Sequence, residues 1–161
     1  VGSSQLDRYM ETVATLGRPG GLALHHGICR MHSEEDSPNT FITRYVFPDG
    51  ELHRVSKVTA ALERSGQELR DDESLREHYA YTLRRWVANL AAEKERAIAE
   101  AGVERERIWR LYMTASALAF ERGDVAVHQL LAVIPEANPI GLSRPPSPLP
   151  LTRPSYVIDG D

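Results

Sequence analysis

The amino-acid sequence predicts a protein of the α/β class, because segments with helical periodicity alternate with short apolar runs. Four segments repeat their apolar residues every three to four positions, which is typical of amphipathic helices. Two shorter segments are apolar or rich in β-branched residues, which favours strands, and residues 67–74 are a weaker strand candidate. The predicted helices span residues 5–16, 55–65, 75–101 and 104–122, and the predicted strands span residues 22–28, 67–74 and 125–134.

Glycine and proline mark the ends of these segments. Gly66, Gly102 and Gly123 each follow a predicted helix at a position that commonly takes a left-handed backbone. The glycine-rich residues 17–21 connect a helix to a strand, whereas phosphate-binding loops connect a strand to a helix. We therefore expect a tight connection there rather than a ligand loop. The remaining segments are a predicted loop at 29–40, an apolar stretch of ambiguous structure at 41–47 and a turn at 48–50.

The composition is that of an ordinary globular chain of 161 residues, with 42% apolar and 26% charged residues. The net charge of −4 gives no general attraction to nucleic acid, so no nucleic-acid partner is expected. The sequence has no run of about eighteen apolar residues, so no membrane-spanning helix is predicted. The single cysteine, Cys29, excludes an internal disulfide and suits a reducing compartment, which predicts a cytoplasmic location.

The distribution of proline divides the chain into two parts. Seven of the ten prolines lie at or after Pro135, and so dense a series prevents both a packed helix and an inner strand. We therefore predict one folded domain at residues 1–134 and an extended or disordered tail at residues 135–161. A helical pattern follows Val1 almost at once, so we expect the numbering to begin inside a longer protein.

Two adjacent histidines in the first predicted strand are candidates for chemistry. His25 and His26 face opposite sides of a strand, and His26 lies near the carboxyl end, where α/β sheets gather ligands. Such a histidine could hold an anion or move a proton, or it could be a buried imidazole bonded to a backbone carbonyl. His26, Cys29 and His32 also have a spacing that resembles a set of metal ligands. Because a fourth ligand is not evident, we predict no metal site.

Aromatic and apolar residues on the two long helices allow two interpretations. Tyr79, near the start of the third predicted helix, could offer its hydroxyl to a ligand or bury its ring with a solvated tip. Leu83, Tyr112 and Phe120 stand at helical spacing, which packing explains fully. A channel for an acyl chain would use the same residue types, so the pattern does not separate a core from a channel.

Four blocks of this sequence resemble blocks of one known family. Residues 18–28 are similar to its KPGG…LLHTI strand, and residues 41–52 to its FI..YIFPGGEL block. Residues 74–86 resemble L..HYA.TL..W, and residues 109–120 resemble W..YL…A..F. The blocks occur in the family's order and cover about residues 1–134. The family is that of the S-adenosylmethionine-dependent cyclopropane fatty acid and mycolic acid cyclopropane synthases.

The resemblance implies a fold and a reaction. The implied fold is the C-terminal half of a Rossmann-like methyltransferase sheet with two long helices, followed by the proline-rich tail. The implied reaction transfers a methyl group from S-adenosylmethionine to a cis double bond of a lipid acyl chain. The resulting carbocation then loses a proton and closes to a cyclopropane ring, and in this family a bound bicarbonate is the proposed base.

The resemblance also implies roles for particular residues. His26, the backbone at Ile28 and Tyr79 match family positions that hold the bicarbonate. The residues that match positions lining the acyl channel are Phe47, Leu52, Leu83, Tyr112 and Phe120. Imidazole and phenol suit an anion because both donate hydrogen bonds, and aromatic faces suit a cationic intermediate.

The chain departs from the family pattern where the methyl donor would bind. The family's Glu-His before the initial Val-Gly, its donor-binding glycine motif and an earlier anion-site cysteine are all absent, and Ser116 replaces a cysteine frequent in the last helix. The expected partners are therefore the missing N-terminal half or a separate donor-binding subunit, together with an unsaturated phospholipid at the inner face of a membrane. Two alternatives stay open: a small-molecule C- or N-methyltransferase, and a lipid-binding or assembly module without activity.

Overall fold

The computed structural model describes residues 2–32, 40–48 and 50–134, which form a mixed α/β fold around one four-stranded sheet. The predicted tail, most of the predicted loop and Asp49 of the predicted turn lie outside these residues. The helices are α1 (Leu6–Leu16), α2 (Phe41–Tyr45), α3 (Val55–Arg64), α4 (Arg76–Ala92), α5 (Lys94–Ala101) and α6 (Val103–Arg122), with a 3-10 turn at Ser3–Gln5. The strands are β1 (Leu22–Arg30), β2 (His53–Arg54), β3 (Glu68–Ser74) and β4 (Val125–Val133).

The sheet has the strand order β2-β1-β4-β3. The last strand, β4, lies antiparallel between β1 and β3, so β1 and β3 run in the same direction. The two-residue strand β2 pairs in parallel with Cys29 and Arg30 at the carboxyl end of β1. A bulge in β3 leaves Arg70 without an opposite residue on β4, so Leu69 and Asp72 point to the same face of the sheet.

A hydrophobic cluster lies on each face of the sheet. One face packs against α1 and α3, and the other packs against α4 and α6. Alternation along β4 produces this division, because Leu130 and Ala132 point to the first face while Val127 points to the second. The first cluster contains Leu6, Met10, Ala61, Leu62, Leu130 and Ala132, and the second contains Ala80, Leu83, Ala117, Phe120 and Val127.

The ends of α6 show why the predicted helix boundaries were nearly right. Gly102 before α6 and Gly123 after it have φ of 84° and 79°, a backbone region in which a side chain would be strained. At the end of α6, Arg76 at the first position of α4 donates from Nη1 to the carbonyls of Phe120 and Glu121, at 3.1 and 3.3 Å. The carbonyl of Phe120 also accepts from the N–H of Gly123 at 3.2 Å, whereas the carbonyl of Glu121 is one that the end of a helix leaves without a helical partner.

Three predictions about the helices were wrong or incomplete. The predicted helix at 75–101 is two helices, α4 and α5, separated at Glu93. The ambiguous stretch at 41–47 contains the short helix α2, which begins at a reciprocal pair of hydrogen bonds between Thr40 and Thr43. The apolar residues of the helix predicted at 104–122 do not all lie on its buried stripe, because Ala117 and Phe120 are buried whereas Leu111 is 55% exposed.

The strand β1 is longer than predicted and more exposed than is usual for an apolar strand. The strand continues to Arg30, into the segment predicted as a loop. Its even-numbered side chains are not buried: Leu22, Leu24 and Ile28 are 55%, 59% and 40% exposed. The reason is that α4 and α6 pack over β4 and leave β1 largely uncovered.

The outer edge of β1 is unpaired over residues 22–28 within the part of the chain that the structure describes, and we call this segment the open edge. Met31 donates to the carbonyl of Asp124, and Ile134 donates to the carbonyl of Gly21, so the odd residues of β1 direct their backbone groups to β4. The even residues, including Leu22 and Leu24, therefore direct their N–H and carbonyl groups to the open edge. Among the described residues, no helix is both long enough and apolar enough to cross a bilayer.

Candidate functional site

A hydrogen bond joins the two residues that the sequence singled out for chemistry. Nε2 of His26 lies 3.0 Å from the hydroxyl oxygen of Tyr79, and the two ring centroids are 6.0 Å apart. His26 is on β1 beside the open edge, and Tyr79 is in the first turns of α4. The imidazole on the strand and the phenol on the helix are therefore in direct contact.

A third side chain, Gln129 on β4, contacts the other nitrogen of His26. Gln129 stands opposite His26 in the β1–β4 register, and its amide Nε2 lies 3.2 Å from Nδ1 of the imidazole. An amide nitrogen can only donate, so this orientation of Gln129 corresponds to the tautomer in which Nδ1 accepts and a neutral imidazole carries its proton on Nε2. His26 then donates to the oxygen of Tyr79, which leaves the phenolic hydrogen of Tyr79 available to a ligand.

The ring of Tyr79 is held by Phe120. The two rings stack at a centroid distance of 5.6 Å with planes 28° apart. Phe120 is only 2% exposed and belongs to the core cluster between α4, α6 and β4. Because Phe120 is fixed in the core, it restricts the position of the Tyr79 hydroxyl.

The backbone N–H of Ile28 points to the same edge of the sheet at which His26 and Tyr79 lie. Ile28 is an even residue of β1, opposite Val127, and the carbonyl of Val127 accepts from Leu75 on the far side of β4. The N–H of Ile28 is consequently directed toward the open edge. The three groups expected at the anion site, from His26, Ile28 and Tyr79, thus lie along one border of the sheet.

The residues expected to line an acyl channel fall into two groups. Phe47 and Tyr112 are in edge-to-face contact at 5.7 Å, and Trp109 adds a second such contact with Tyr112 at 5.5 Å. Phe47 and Trp109 are 47% and 42% exposed, so this aromatic cluster is open to solvent. Leu52 is 37% exposed, and it stands five residues after Phe47.

Leu83 and Phe120 form the second group, and both are core residues. They are 5% and 2% exposed and pack with Val127 under α4 and α6. Two turns of α6, or about 12 Å, separate Phe120 from Tyr112 in the aromatic cluster. The predicted lining residues therefore do not all border one open slot.

The opposite face of the sheet holds other polar residues, which contact one another rather than the His26–Tyr79 pair. His25 is buried, and its Nε2 lies 3.0 Å from Oε1 of Gln67. His128 is buried with Nδ1 at 2.7 Å from a carboxylate oxygen of Asp72, and its Nε2 has no hydrogen-bond partner among the described residues. Burial, and secondarily the nearby carboxylate of Asp72, raise the pKa of the Cys29 thiol to about 11.

The alternative of a metal site at His26, Cys29 and His32 does not fit this geometry. His26 and Cys29 are three residues apart on a strand, so their side chains point to opposite faces of the sheet. In the ranges that the structure describes, no three histidine, cysteine or acidic side chains are grouped to hold a metal ion.

A cavity of about 210 Å³ lies between α4 and α6, away from His26 and Tyr79. It is lined by Arg84, Val87, Ala88, Ala91, Thr114, Ala117 and Leu118. None of the residues singled out from the sequence borders this cavity.

Comparison with known proteins identifies the class of this fold. The cyclopropane synthase MmaA2 from Mycobacterium tuberculosis superposes with a TM-score of 0.76 and 24% identity, over 82% of this chain and 50% of that one. The mycolic acid cyclopropane synthase CmaA1, in a complex with SAH and CTAB, superposes with a TM-score of 0.75 and 27% identity over the same shares. The fold is therefore that of an S-adenosylmethionine-dependent methyltransferase.

Sequence comparison identifies the family within that class. The family model for mycolic acid cyclopropane synthetase matches residues 1–130, and the chain belongs to this family. A probable fatty acid methyltransferase of Pseudomonas putida is 42% identical over 142 residues, which are 86% of this chain and 36% of that protein. The chain thus spans about half the length of the matched structures and about a third of this relative.

Two residues of the site were missed by the sequence analysis. Gln129 lies 103 residues after His26, and only the register of β1 against β4 brings the two side chains together. The available signal was a pair of polar residues, His128 and Gln129, in the middle of an otherwise apolar β4. Trp109 was noted as part of a motif, but its contact with Tyr112, one helical turn away on α6, was not foreseen.

Proposed function

We propose that this protein, together with a donor-binding half, transfers a methyl group from S-adenosylmethionine to a cis double bond of an unsaturated phospholipid acyl chain. The observation that carries the proposal is the hydrogen bond between His26 and Tyr79 at the open edge of the sheet. Membership of the mycolic acid cyclopropane synthetase family supports the reaction class. A phospholipid substrate would be reached at a membrane surface.

The donors along this border suit a small oxyanion, for which bicarbonate is our candidate. In the tautomer of His26 that donates from Nε2, the hydroxyl of Tyr79 keeps its hydrogen for a ligand, and the N–H of Ile28 points to the same border. When bound, bicarbonate would supply a base for the proton that the substrate loses. His26 and Tyr79 would orient it through hydrogen bonds, which strengthen in a site from which water is excluded.

The aromatic cluster of Phe47, Trp109 and Tyr112 suits an apolar chain that carries a transient positive charge. Its ring faces can stabilise a cation, and its apolar surface can bind hydrocarbon. Because Phe47 is 47% exposed, the cluster needs a further cover to exclude water.

The methyl donor would be held by the half of the fold that this chain does not span. CmaA1 was crystallised with SAH, which is consistent with S-adenosylmethionine as the donor in this family. No residue of this chain is assigned to donor binding.

A chimaera tests this function in a complete enzyme. Residues 1–134 replace the matched region of the Pseudomonas putida relative, and transfer of radiolabelled methyl is measured with vesicles of cis-unsaturated phospholipid. We expect label in the acyl chains, and we expect Tyr79→Phe to reduce the rate about 100-fold, because a positioned proton-transfer network contributes at least that much. Tyr81→Phe is the matched control, since Tyr81 is 64% exposed and two residues away on α4.

The other outcomes separate the alternatives. A folded chimaera that leaves the lipid unlabelled but methylates small amines or other soluble acceptors would refute the lipid substrate. A chimaera that binds the vesicles but transfers no methyl to any acceptor would favour a lipid-binding module. Equal rates for Tyr79→Phe and Tyr81→Phe would remove the phenol from the mechanism.

A further inference from the structure

The carboxylate of Glu51 is bound to the residues that precede α1. Ser3 donates to it twice, from its backbone N–H to Oε2 at 2.6 Å and from its hydroxyl to Oε1. Nζ of Lys57, in the first turn of α3, donates to the same hydroxyl oxygen at 2.5 Å. We call these three residues the Glu51 clamp. The hydrogen bonds from the hydroxyl and the N–H of Ser3 lower the pKa of Glu51, so its carboxylate is charged at neutral pH.

The two helices that adjoin the Glu51 clamp are fixed in the core. Leu6 and Met10 of α1 are 5% and 1% exposed, and Leu62 of α3 is 0% exposed. All three belong to the hydrophobic cluster on the first face of the sheet. Ser3 stands one 3-10 turn before Leu6. The partners of the carboxylate are therefore attached to a rigid part of the molecule.

On its other side, Glu51 follows a tight turn that begins at Phe47. The N–H of Gly50 donates to the carbonyl of Phe47 at 3.0 Å, and the N–H of Phe47 donates to the carbonyl of Ile42 at 2.9 Å. A Cβ at Gly50 would lie 3.0 Å from Cβ of Phe47, so the two backbones approach more closely than a side chain would allow. Because the turn is this tight, a shift of Glu51 also moves Phe47, whose ring contacts Tyr112.

We propose that Glu51 is a positioning residue, which anchors the turn after Phe47 to α1 and α3 and so holds the ring of Phe47 against Tyr112. Its importance for the substrate rests on the function proposed above, in which the aromatic cluster binds the acyl chain. Phe47 is 47% exposed, so packing alone restricts its ring weakly. Loss of the anchor opens the cluster and weakens binding of the acyl chain, while the His26–Tyr79 pair keeps its hydrogen bond.

The competing explanation is an ordinary surface hydrogen bond. The side chain of Glu51 is 40% exposed, and many polar contacts at such sites contribute little to stability. The same segment is also held where His53 of β2 pairs with Cys29. If this pairing alone determined the position of Phe47, removal of the carboxylate would leave the ring in place. The two explanations therefore differ in the position of one ring.

NMR of the 161-residue chain measures that position through the nuclear Overhauser contact between the rings of Phe47 and Tyr112. Glu51→Ala should abolish this contact, because it removes every acceptor of the Glu51 clamp. Glu51→Gln keeps an oxygen that accepts from Ser3, so it should retain part of the contact. The matched control is Glu63→Ala, at an exposed glutamate of α3, which should leave the contact unchanged.

Kinetics of the chimaera measure the consequence for the substrate. Glu51→Ala should raise the KM for vesicles of cis-unsaturated phospholipid about fivefold, which is less than a buried charged hydrogen bond would give because the carboxylate is solvent-exposed. Glu51→Gln should raise this KM about threefold, because only the charge is lost. Neither should change kcat, since the lost interaction binds ground state and transition state equally. Glu63→Ala should leave both constants unchanged.

A double-mutant cycle tests whether Glu51 acts through Phe47. In a chimaera that already carries Phe47→Ala, the further change Glu51→Ala should raise the KM no more, because the ring that it positions is absent. A structural role would instead lower the free energy of unfolding and leave both the ring contact and the KM unaltered. The cycle therefore separates positioning of the substrate site from general stabilisation.

The results decide the proposal separately from the reaction. The proposal fails if Glu51→Ala retains the ring contact, or if it raises the KM as much in the Phe47→Ala background as alone. Should Glu51→Ala not fold, Glu51→Gln decides in its place, and a ring contact and KM equal to those of the unaltered protein overturn the proposal. A chimaera without methyl transfer refutes the proposed function, whereas the ring contact in the chain still decides the role of Glu51.

Discussion

Replacement of Gln129 should change which nitrogen of His26 carries the proton. In the structure Nδ1 accepts from the amide of Gln129, so the neutral imidazole is protonated at Nε2 and donates to Tyr79. A hydrogen bond between neutral groups contributes about 1 kcal/mol, which corresponds to about fivefold in an equilibrium. Gln129→Leu should therefore lower the ratio of the Nε2-protonated to the Nδ1-protonated form about fivefold.

Long-range proton–nitrogen NMR measures this ratio, because protonated and unprotonated ring nitrogens resonate far apart. His25 is the internal control, since it pairs with Gln67 and not with Gln129, and its spectrum should not change. Gln129→Glu should favour the Nδ1-protonated form, because a carboxylate can only accept. In the chimaera, both variants should lower the rate of methyl transfer. The loss in rate, converted to free energy, should exceed the loss in the free energy of unfolding.

The refuting result is a neutral His26 that carries its proton on Nδ1 in the unaltered protein. In that case the amide of Gln129 would present its oxygen to the ring, and Tyr79 would have to donate its own hydrogen to Nε2. The phenol would then have no hydrogen left for an anion, and the arrangement proposed for bicarbonate would be wrong.

Three further predictions concern the remainder of the fold. Cys29, whose pKa is raised to about 11, should react with iodoacetamide at pH 8 about 100-fold more slowly than an ordinary thiol, because the thiolate is the form that reacts. A rate equal to that of the unfolded chain would contradict the burial of Cys29. Leu62→Ala should lower the free energy of unfolding by about 2–5 kcal/mol in urea titrations, because Leu62 is 0% exposed. The control is Leu16→Ala, at a side chain that is 82% exposed, which should change the free energy of unfolding by less than about 0.5 kcal/mol. Similar losses for Leu62→Ala and Leu16→Ala would show that Leu62 is not a core residue. Arg76→Met should lower the free energy of unfolding, measured in the same urea titrations, by about 1 kcal/mol, because it loses the hydrogen bonds to the end of α6. An unchanged free energy of unfolding would mean that water replaces these bonds.

Local sequence signals predicted the order of the elements well. The glycines at 102 and 123 bound α6 because their positive φ is strained for other residues. The break at Glu93 between α4 and α5 has no such signal, since glutamate and the alanines before it are good helix formers. A periodicity analysis of one sequence therefore gives no reason to end a helix at Glu93.

Only those residues of the candidate site that match the family's motifs could be predicted from the sequence. The resemblance assigned His26 and Tyr79 to the same anion site, although 53 residues separate them in the sequence. The role of Gln129 depends on the register of two strands, which local sequence does not determine. The exposure of Leu22 and Leu24 was missed for another reason: an apolar strand is expected to be buried, whereas α4 and α6 pack over β4 and leave β1 largely uncovered.

The two aspartates that follow the bulge in β3 allow a carboxylate to contact His128 in two registers of β3 against β4. Arg70 is the extra residue of the bulge, and the two aspartates that follow it are adjacent in sequence, Asp71 and Asp72. If β3 lost the bulge and slid by one position against β4, Asp71 would take the place that Asp72 now occupies beside the imidazole. The tandem aspartates therefore give this strand a spare carboxylate, so that a buried histidine keeps its acceptor under either alignment.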